Sequence, residues 1–240
     1  MKGALLLCGQ YREFEIATQS WEFIKEFDLD VYVSTWDYSK QENKFLEISI
    51  EEDVTEEMIR KYLPNANISI LKQSDYYFYG EKQYHNNKQT FHWKNALKMV
   101  KESGVEYDVM FLTRPDHYIT FSIDKNSFYG LTDPEVIYAH TNIYISGINQ
   151  YFLPDAFFMG NYKNMVDFIE ATPDNMIGNI HTEIARVILS IGKYAKFLDG
   201  IDIEVIRPNV RTMVEKHGYR DDIRNAHNHW NATMHIGRDE

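Results

Sequence analysis

The chain begins with an apolar run, Gly3 to Cys8, that stops at Gly9 and predicts a buried strand. From Glu13 to Phe27 the apolar positions fall at Phe14, Ala17, Trp21 and Ile24, a helical spacing. Asp30 to Thr35, centred on Val31, Tyr32 and Val33, predicts a second strand. This strand–helix–strand opening implies a right-handed parallel crossover. Tyr38 to Glu52 is polar and reads as a loop. Thr55 has the side chain and position of an N-cap for a short helix through Tyr62, stopped by Pro64. Asn67 to Leu71 predicts a third strand, Ser74 to Gly80 an aromatic-rich loop, and Asn87 to Lys101 a helix closed by Gly104.

A fourth strand, Val109 to Leu112, ends at Thr113-Arg114-Pro115-Asp116. Pro115 fixes its own φ and pushes Arg114 toward extended backbone. Residues two apart in an extended chain share a side, so Arg114 and Asp116 should face one direction. They would do so at the strand's carboxyl end, where open α/β sheets put their ligands. A guanidinium beside a carboxylate suits a bound phosphate with a divalent cation.

The second half is less regular. Glu135 to Ala139 and Ala156 to Met159 predict strands, the latter ending at Gly160; Tyr162 to Glu170 and His181 to Ile191 predict helices. Ala195 to Leu198 and Ile203 to Ile206 read as short strands, and the remaining tail carries His217, His227, His229 and His235 with little apolar periodicity. No repeat, low-complexity tract or linker interrupts the chain. The expected architecture is one α/β domain over residues 1–240, with a mostly parallel, Rossmann-like sheet flanked by helices. Residues 1–120 would form its nucleotide-binding half and 121–240 the half for the other substrate.

Composition changes this picture little. The 17 Tyr, 14 Phe and 4 Trp suit sugars and bases, but rings also fill cores, and that covers most of them. A formal net charge of −11 argues against binding nucleic acid, whose backbone demands Lys/Arg-rich faces. It leaves room for one nucleotide in a locally basic pocket. The acidic cluster from Glu51 to Glu57 reads as a solvated loop and helix start. Cys8 is the lone cysteine, so no internal disulfide is possible. Its apolar run is too short and too near Met1 for a signal peptide, and no stretch has the apolar length of a transmembrane segment. The expectation is a cytoplasmic protein, which makes the sequons at Asn67 and Asn231 chance matches.

The strand ends carry the candidate chemistry. G-x-G-x-x-G, the P-loop motif and G-x-S-x-G are all absent, which disfavours a dinucleotide site, a P-loop and a hydrolase elbow. After the first strand stand Gly9, Gln10 and Arg12; Gly9 allows close backbone approach, and Arg12 near a helix start could hold a diphosphate, or be a surface arginine. After the second, Trp36 and Asp37 could stack on and hydrogen-bond a base, or be a core Trp and a capping Asp. On the helix before the fourth strand, Gln89, His92 or Lys94 could reach a ligand, or form a solvated face. Asp155 could hold an acceptor hydroxyl, or be a turn residue. Glu183 opens a helix, where it either complements the dipole or serves as a general base, with Asp155 and Asp116 as competitors. His227 or His229 could complete a cation's shell; without a thiol set or H-E-x-x-H, a structural or protease zinc site is disfavoured.

In their order, Cys8-Gly9-Gln10-Tyr11-Arg12-Glu13-Phe14-Glu15, Asp30-Val31-Tyr32-Val33-Ser34-Thr35-Trp36 and Tyr107-Asp108 leading to Thr113-Arg114-Pro115-Asp116 resemble small GT-A-type glycosyltransferases of bacterial polysaccharide clusters and large phages. Asp155 to Gly160 and His181-Thr182-Glu183 match more loosely. The resemblance implies hexosyl or uronosyl transfer from a nucleotide sugar, usually a UDP-sugar, to a glycan or glycoside acceptor, with Mn²⁺ or Mg²⁺ on the diphosphate. It puts Asp116 at the last acid of the D-x-D metal motif and Arg114 where the first acid would be. Gly9, Gln10, Arg12, Trp36, Asp37, Gln89, Lys94 and Arg114 would then bind the donor, His227 or His229 would assist Asp116, and Glu183 or Asp155 would act as base. Two other readings stay open. One is a non-catalytic nucleotide-sugar or glycan-binding module, favoured by the missing first acid. The other is a sugar nucleotidyltransferase, against which the absent Gly-rich phosphate loop counts.

Overall fold

The computed structural model describes residues 1–43, 48–76, 81–122, 132–140, 143–145, 150–153, 155–174, 176, 180–197 and 201–205. β1 (Gly3–Cys8) pairs in parallel with β2 (Leu29–Trp36) on one side and β6 (Val109–Thr113) on the other. β2 pairs in parallel with β5 (Asn67–Leu71). Next to β6 lies β11 (Phe157–Asn161), antiparallel both to β6 and to β8 (Val136–Ala139), and β12 (Tyr194–Phe197) closes the sheet in parallel with β8. The seven-stranded order is β12-β8-β11-β6-β1-β2-β5. It is a mixed α/β sheet, mostly parallel and flanked by helices, as the pattern predicted.

Burial on both faces explains why the central strands read as unbroken apolar runs. Leu5, Leu7, Val33, Phe111 and Phe157 point into one core layer. Ala4, Leu6, Tyr32, Met110, Leu112 and Phe158 point into the other, following the period of two. The first layer includes Phe14 and Ile59, from the short helices α1 (Phe14–Ala17) and α3 (Glu56–Arg60). The second is covered by α4 (Glu81–Glu102), α5 (Tyr162–Ala171) and α6 (Ile180–Ser190), through Trp93, Leu97, Phe168 and Ile184. Thr55 caps α3 as expected, its side chain accepting from the Met58 N–H at 3.3 Å.

Three expectations change. The helix foreseen from Glu13 to Phe27 is broken into α1, a 3₁₀ turn (Thr18–Ser20) and α2 (Phe23–Glu26). Tertiary hydrogen bonds override its periodicity: Trp21 Nε1 donates to the His117 carbonyl at 3.0 Å, and Ser20 Oγ accepts from the Ile119 N–H at 2.8 Å. Both partners lie on β7 (His117–Phe121), an unforeseen strand that pairs antiparallel with β13 (Ile201–Val205). The polar stretch Tyr38 to Glu52, read as a loop, contains the antiparallel strands β3 (Tyr38–Asn43) and β4 (Ile48–Asp53). This hairpin stands outside the main sheet, with Lys40 and Glu51 paired across it at 2.8 Å. The short alternation Ile48-Ser49-Ile50-Glu51 in β4 marks it, but the polar composition of β3 outweighs that signal. Finally, α4 starts well before Asn87, in a polar turn without apolar signal.

Along the chain, β1, β2 and β5 extend the sheet in one direction, and β6 then returns to the other side of β1. That reversal is a topological switch point, and ligands of open α/β sheets bind beyond the carboxyl ends of the strands there.

Candidate functional site

Beyond β1 the chain turns at Gly9, whose φ of 122° is open to glycine and strained for other residues. Its N–H donates to the Ser34 carbonyl at 3.1 Å, fastening the turn to β2. Glu13, also left-handed at φ 49°, begins α1. Between these two residues the turn carries Gln10 and Arg12 over the sheet's edge.

Beyond β6 the Thr113-Arg114-Pro115-Asp116 corner does bring Arg114 and Asp116 together. Arg114 grips the carboxylate with two parallel bonds, Nε to Oδ1 at 2.9 Å and Nη2 to Oδ2 at 2.7 Å. Arg12 arrives from β1 and places Nη2 2.7 Å from the same Oδ2. Asp116 is only 1% exposed. Burial would raise its carboxyl pKa, but Arg114, Arg12 and His117 hold it well below the usual range. Arg114 is correspondingly held as a cation: burial opposes its charge, and Asp116 and Asp155 more than restore it.

His117 lies behind this pair and is fully buried. The Thr113 hydroxyl donates to the Ala156 carbonyl at 2.8 Å, so the 3.1 Å contact with His117 Nδ1 assigns the ring proton to Nδ1. Burial, then the positive charge of Arg114, lowers this imidazole's pKa and keeps it neutral.

Arg114 also reaches forward, Nη1 lying 3.4 Å from Asp155 Oδ2. Asp155 Oδ1 is 3.7 Å from His181 Nδ1. Burial raises the Asp155 carboxyl, but Arg114 and then His181 bring it below the ordinary value. Gln89 Nε2 donates to the Asp155 carbonyl at 3.3 Å, tying α4 to the segment entering β11.

These residues surround a cavity of about 540 Å³ at the switch point. Of the residues expected to bind the donor, Gly9, Gln10, Arg12, Trp36, Gln89 and Arg114 line it, together with Asp155. Lys88, His92 and His181 line it too. Lys88 was missed in the sequence; it stands one helical turn before His92, so the period of α4 could have found it. His92 Nδ1 lies 2.8 Å from Ser34 Oγ, and burial followed by the charge of Lys88 lowers its pKa to about 3.

The remaining candidates stand elsewhere. Asp37 Oδ1 accepts from the Gln73 N–H at 2.9 Å, bracing the end of β2 outside the cavity. Trp36 touches the cavity but is 1% exposed, stacked on Phe91 with ring centroids 5.7 Å apart and flanked by Tyr76, so it serves the core more than a base. Lys94 pairs with Asp174 and lines a separate cavity beside Lys98, Lys101 and Glu170. Glu183 accepts from Arg186 Nη1 at 2.5 Å and does not line the site. His227 and His229 lie outside the described residues.

The donor set suits an anion rather than a divalent cation. Both Asp116 oxygens face guanidinium nitrogens, and a cation on them would sit against two positive charges. Among the described residues no three His, Cys, Asp or Glu side chains gather as a metal-binding group. Arg12 Nε, in contrast, is a buried donor with no hydrogen-bond partner among the described residues. Arginine forks held rigid by a buried carboxylate are suited to phosphate oxygens.

No protein-family model matches the sequence, and no curated protein matches it. Among solved structures, the chain is similar in overall path to one from Bacillus anthracis described as a candidate glucose-1-phosphate thymidylyltransferase in complex with a sucrose. The identity is 10%, over 93% of this chain and 99% of that one, with a TM-score of 0.47. Among the described residues, no helix is long and apolar enough to cross a membrane.

Proposed function

We propose that this chain is a transferase acting on a nucleotide sugar, moving the sugar to a hydroxyl of a glycan or glycoside acceptor. The observation that carries the reading is the pair of guanidiniums, Arg12 and Arg114, locked on buried Asp116 beside a 540 Å³ cavity at the switch point of the sheet. A departing nucleoside diphosphate gathers negative charge on its phosphate oxygens. Donors already aimed at that position need no reorganisation as the charge develops. In this reading Arg12 and Arg114 carry the charge compensation for which the sequence suggested Mn²⁺ or Mg²⁺, and Asp116 fixes their geometry. Gln10, Gln89 and Lys88 line the remaining wall for the donor.

The same forks also suit the triphosphate of a sugar nucleotidyltransferase, so the products decide between the two. Incubation with a panel of nucleotide sugars and glycosides should release nucleoside diphosphate. Pyrophosphate formed from a nucleoside triphosphate and a sugar 1-phosphate would favour nucleotidyl transfer. Tight donor binding without turnover in either assay would indicate a binding module.

A further inference from the structure

The cavity holds a second device beside the arginines. Asp155 lies in the segment entering β11, and His181 lies in the first turn of α6. The two segments are tied together, the Leu153 N–H donating to the His181 carbonyl at 3.2 Å. Asp155 Oδ1 faces His181 Nδ1 at 3.7 Å while its Oδ2 faces Arg114 at 3.4 Å. The carboxylate is thus flanked on both sides, the approach to His181 being longer than a hydrogen bond, and its side chain is 14% exposed against 35% for His181. A carboxylate facing one ring nitrogen favours the proton there and leaves Nε2, on the far edge of the ring, as a proton acceptor. Such contacts are often long without substrate and shorten when the reacting groups bind.

We propose, on the basis of the transferase reading, that His181 is the catalytic base and Asp155 its positioning residue. The acceptor oxygen forms the new bond to the anomeric carbon, and the bond from that carbon to the diphosphate oxygen breaks. Its electron pair leaves on the diphosphate beside Arg12 and Arg114, and the acceptor's hydroxyl proton passes to His181 Nε2. Glu183, the base foreseen in the sequence, is instead paired with Arg186 outside the cavity. Asp155 itself is a weak base, because Arg114 and His181 stabilise its ionised form.

The test uses the full chain with whichever donor and acceptor the panel identifies. His181→Ala should lower kcat by ~10²–10⁴-fold, leave the donor's dissociation constant within a few-fold, and recover part of its turnover on addition of imidazole. Asp155→Asn should lower kcat less, and Asp155→Glu should recover part of that loss. Transfer by His181→Ala within a few-fold of wild type overturns the assignment, as does a loss that imidazole does not relieve. Absence of turnover by the wild type with every donor overturns the transferase reading and this inference with it, so the two failures are distinguishable.

Discussion

Arg12 and Asp116, 104 residues apart in the chain, meet at 2.7 Å. Their contact crosses from the end of β1 to the end of β6. It converts a corner that looked like half of a cation site into a carboxylate saturated by guanidinium donors.

Removing that carboxylate is expected to damage stability as well as activity. Asp116→Ala leaves Arg12 and Arg114 without their shared acceptor, and breaking a buried ion pair typically costs about 3–5 kcal/mol. Urea titration of the variant should show that loss, and the donor panel should show no turnover. A variant as stable as wild type would contradict the role of Asp116 as the arginines' anchor.

Conservative replacement of the arginines should separate charge from geometry. Arg114→Lys keeps the charge but loses the two-pronged grip on Asp116. Losing one transition-state donor lowers turnover by about 10²–10³-fold. Arg12→Gln, which keeps a shorter donor, should raise the donor's KM as well. Kinetics with both variants checks this; unchanged parameters in either would remove the diphosphate from this site.

Chelation offers a third test. With Asp116 engaged by guanidiniums, EDTA is expected to leave nucleotide-sugar affinity within a few-fold, measured by calorimetry. A strict Mn²⁺ requirement lost in a His227→Ala, His229→Ala double variant would instead place a cation with the tail.

The buried imidazoles set an acid limit. His92 titrates near 3 in the folded chain because burial and Lys88 disfavour its cation, whereas the unfolded side chain titrates at ~6.5. Between those values the unfolded state binds the extra proton. Stability is full above the upper value and falls by about 1.4 kcal/mol per pH unit as pH drops through the window. His117, lowered for the same reason beside Arg114, adds to the fall. Asp116 extends it further down, because a depressed carboxyl stabilises above its unfolded pKa and loses that contribution as pH falls. Denaturation curves between pH 7 and pH 4 should show the slope, and His92→Gln should reduce it by one proton.

The central strands were legible because burial on both faces left unbroken apolar runs, and the bounds of β1 and β5 match the sequence reading. What escaped was structure set by partners distant in sequence. Nothing near Thr18–Ser20 announces that β7 will pull that turn out of helix, and the hairpin's short alternation, Ile48-Ser49-Ile50-Glu51, is outweighed by the all-polar run of β3 after Tyr38. The site shows the same division. Gly9, Arg12 and Arg114 follow from strand ends and topology alone. Lys94 was misplaced by helical phase: at 3.6 residues per turn it stands about 140° around α4 from Gln89, on the side that meets Asp174. That Arg12 would meet Asp116 was invisible, because Arg114 and Asp116 seemed sufficient partners for each other.

The antiparallel course of β11 has one more consequence. β8 ends and β11 starts at the same edge of the sheet, so the chain that carries β9 (Ile143–Ile145) and β10 (Gln150–Phe152) leaves and re-enters the sheet on the side of the cavity. A parallel strand in that position would have required a crossover back over the sheet. β9 and β10 pair with each other outside the seven-stranded sheet, whereas Leu153 and Asp155, at the return, are held by the core, His181 and Arg114. In the transferase reading, exchanging the β9–β10 segment while keeping Leu153 and Asp155 is the most economical way to retarget acceptor choice, because it leaves Arg12, Arg114 and Asp116 untouched.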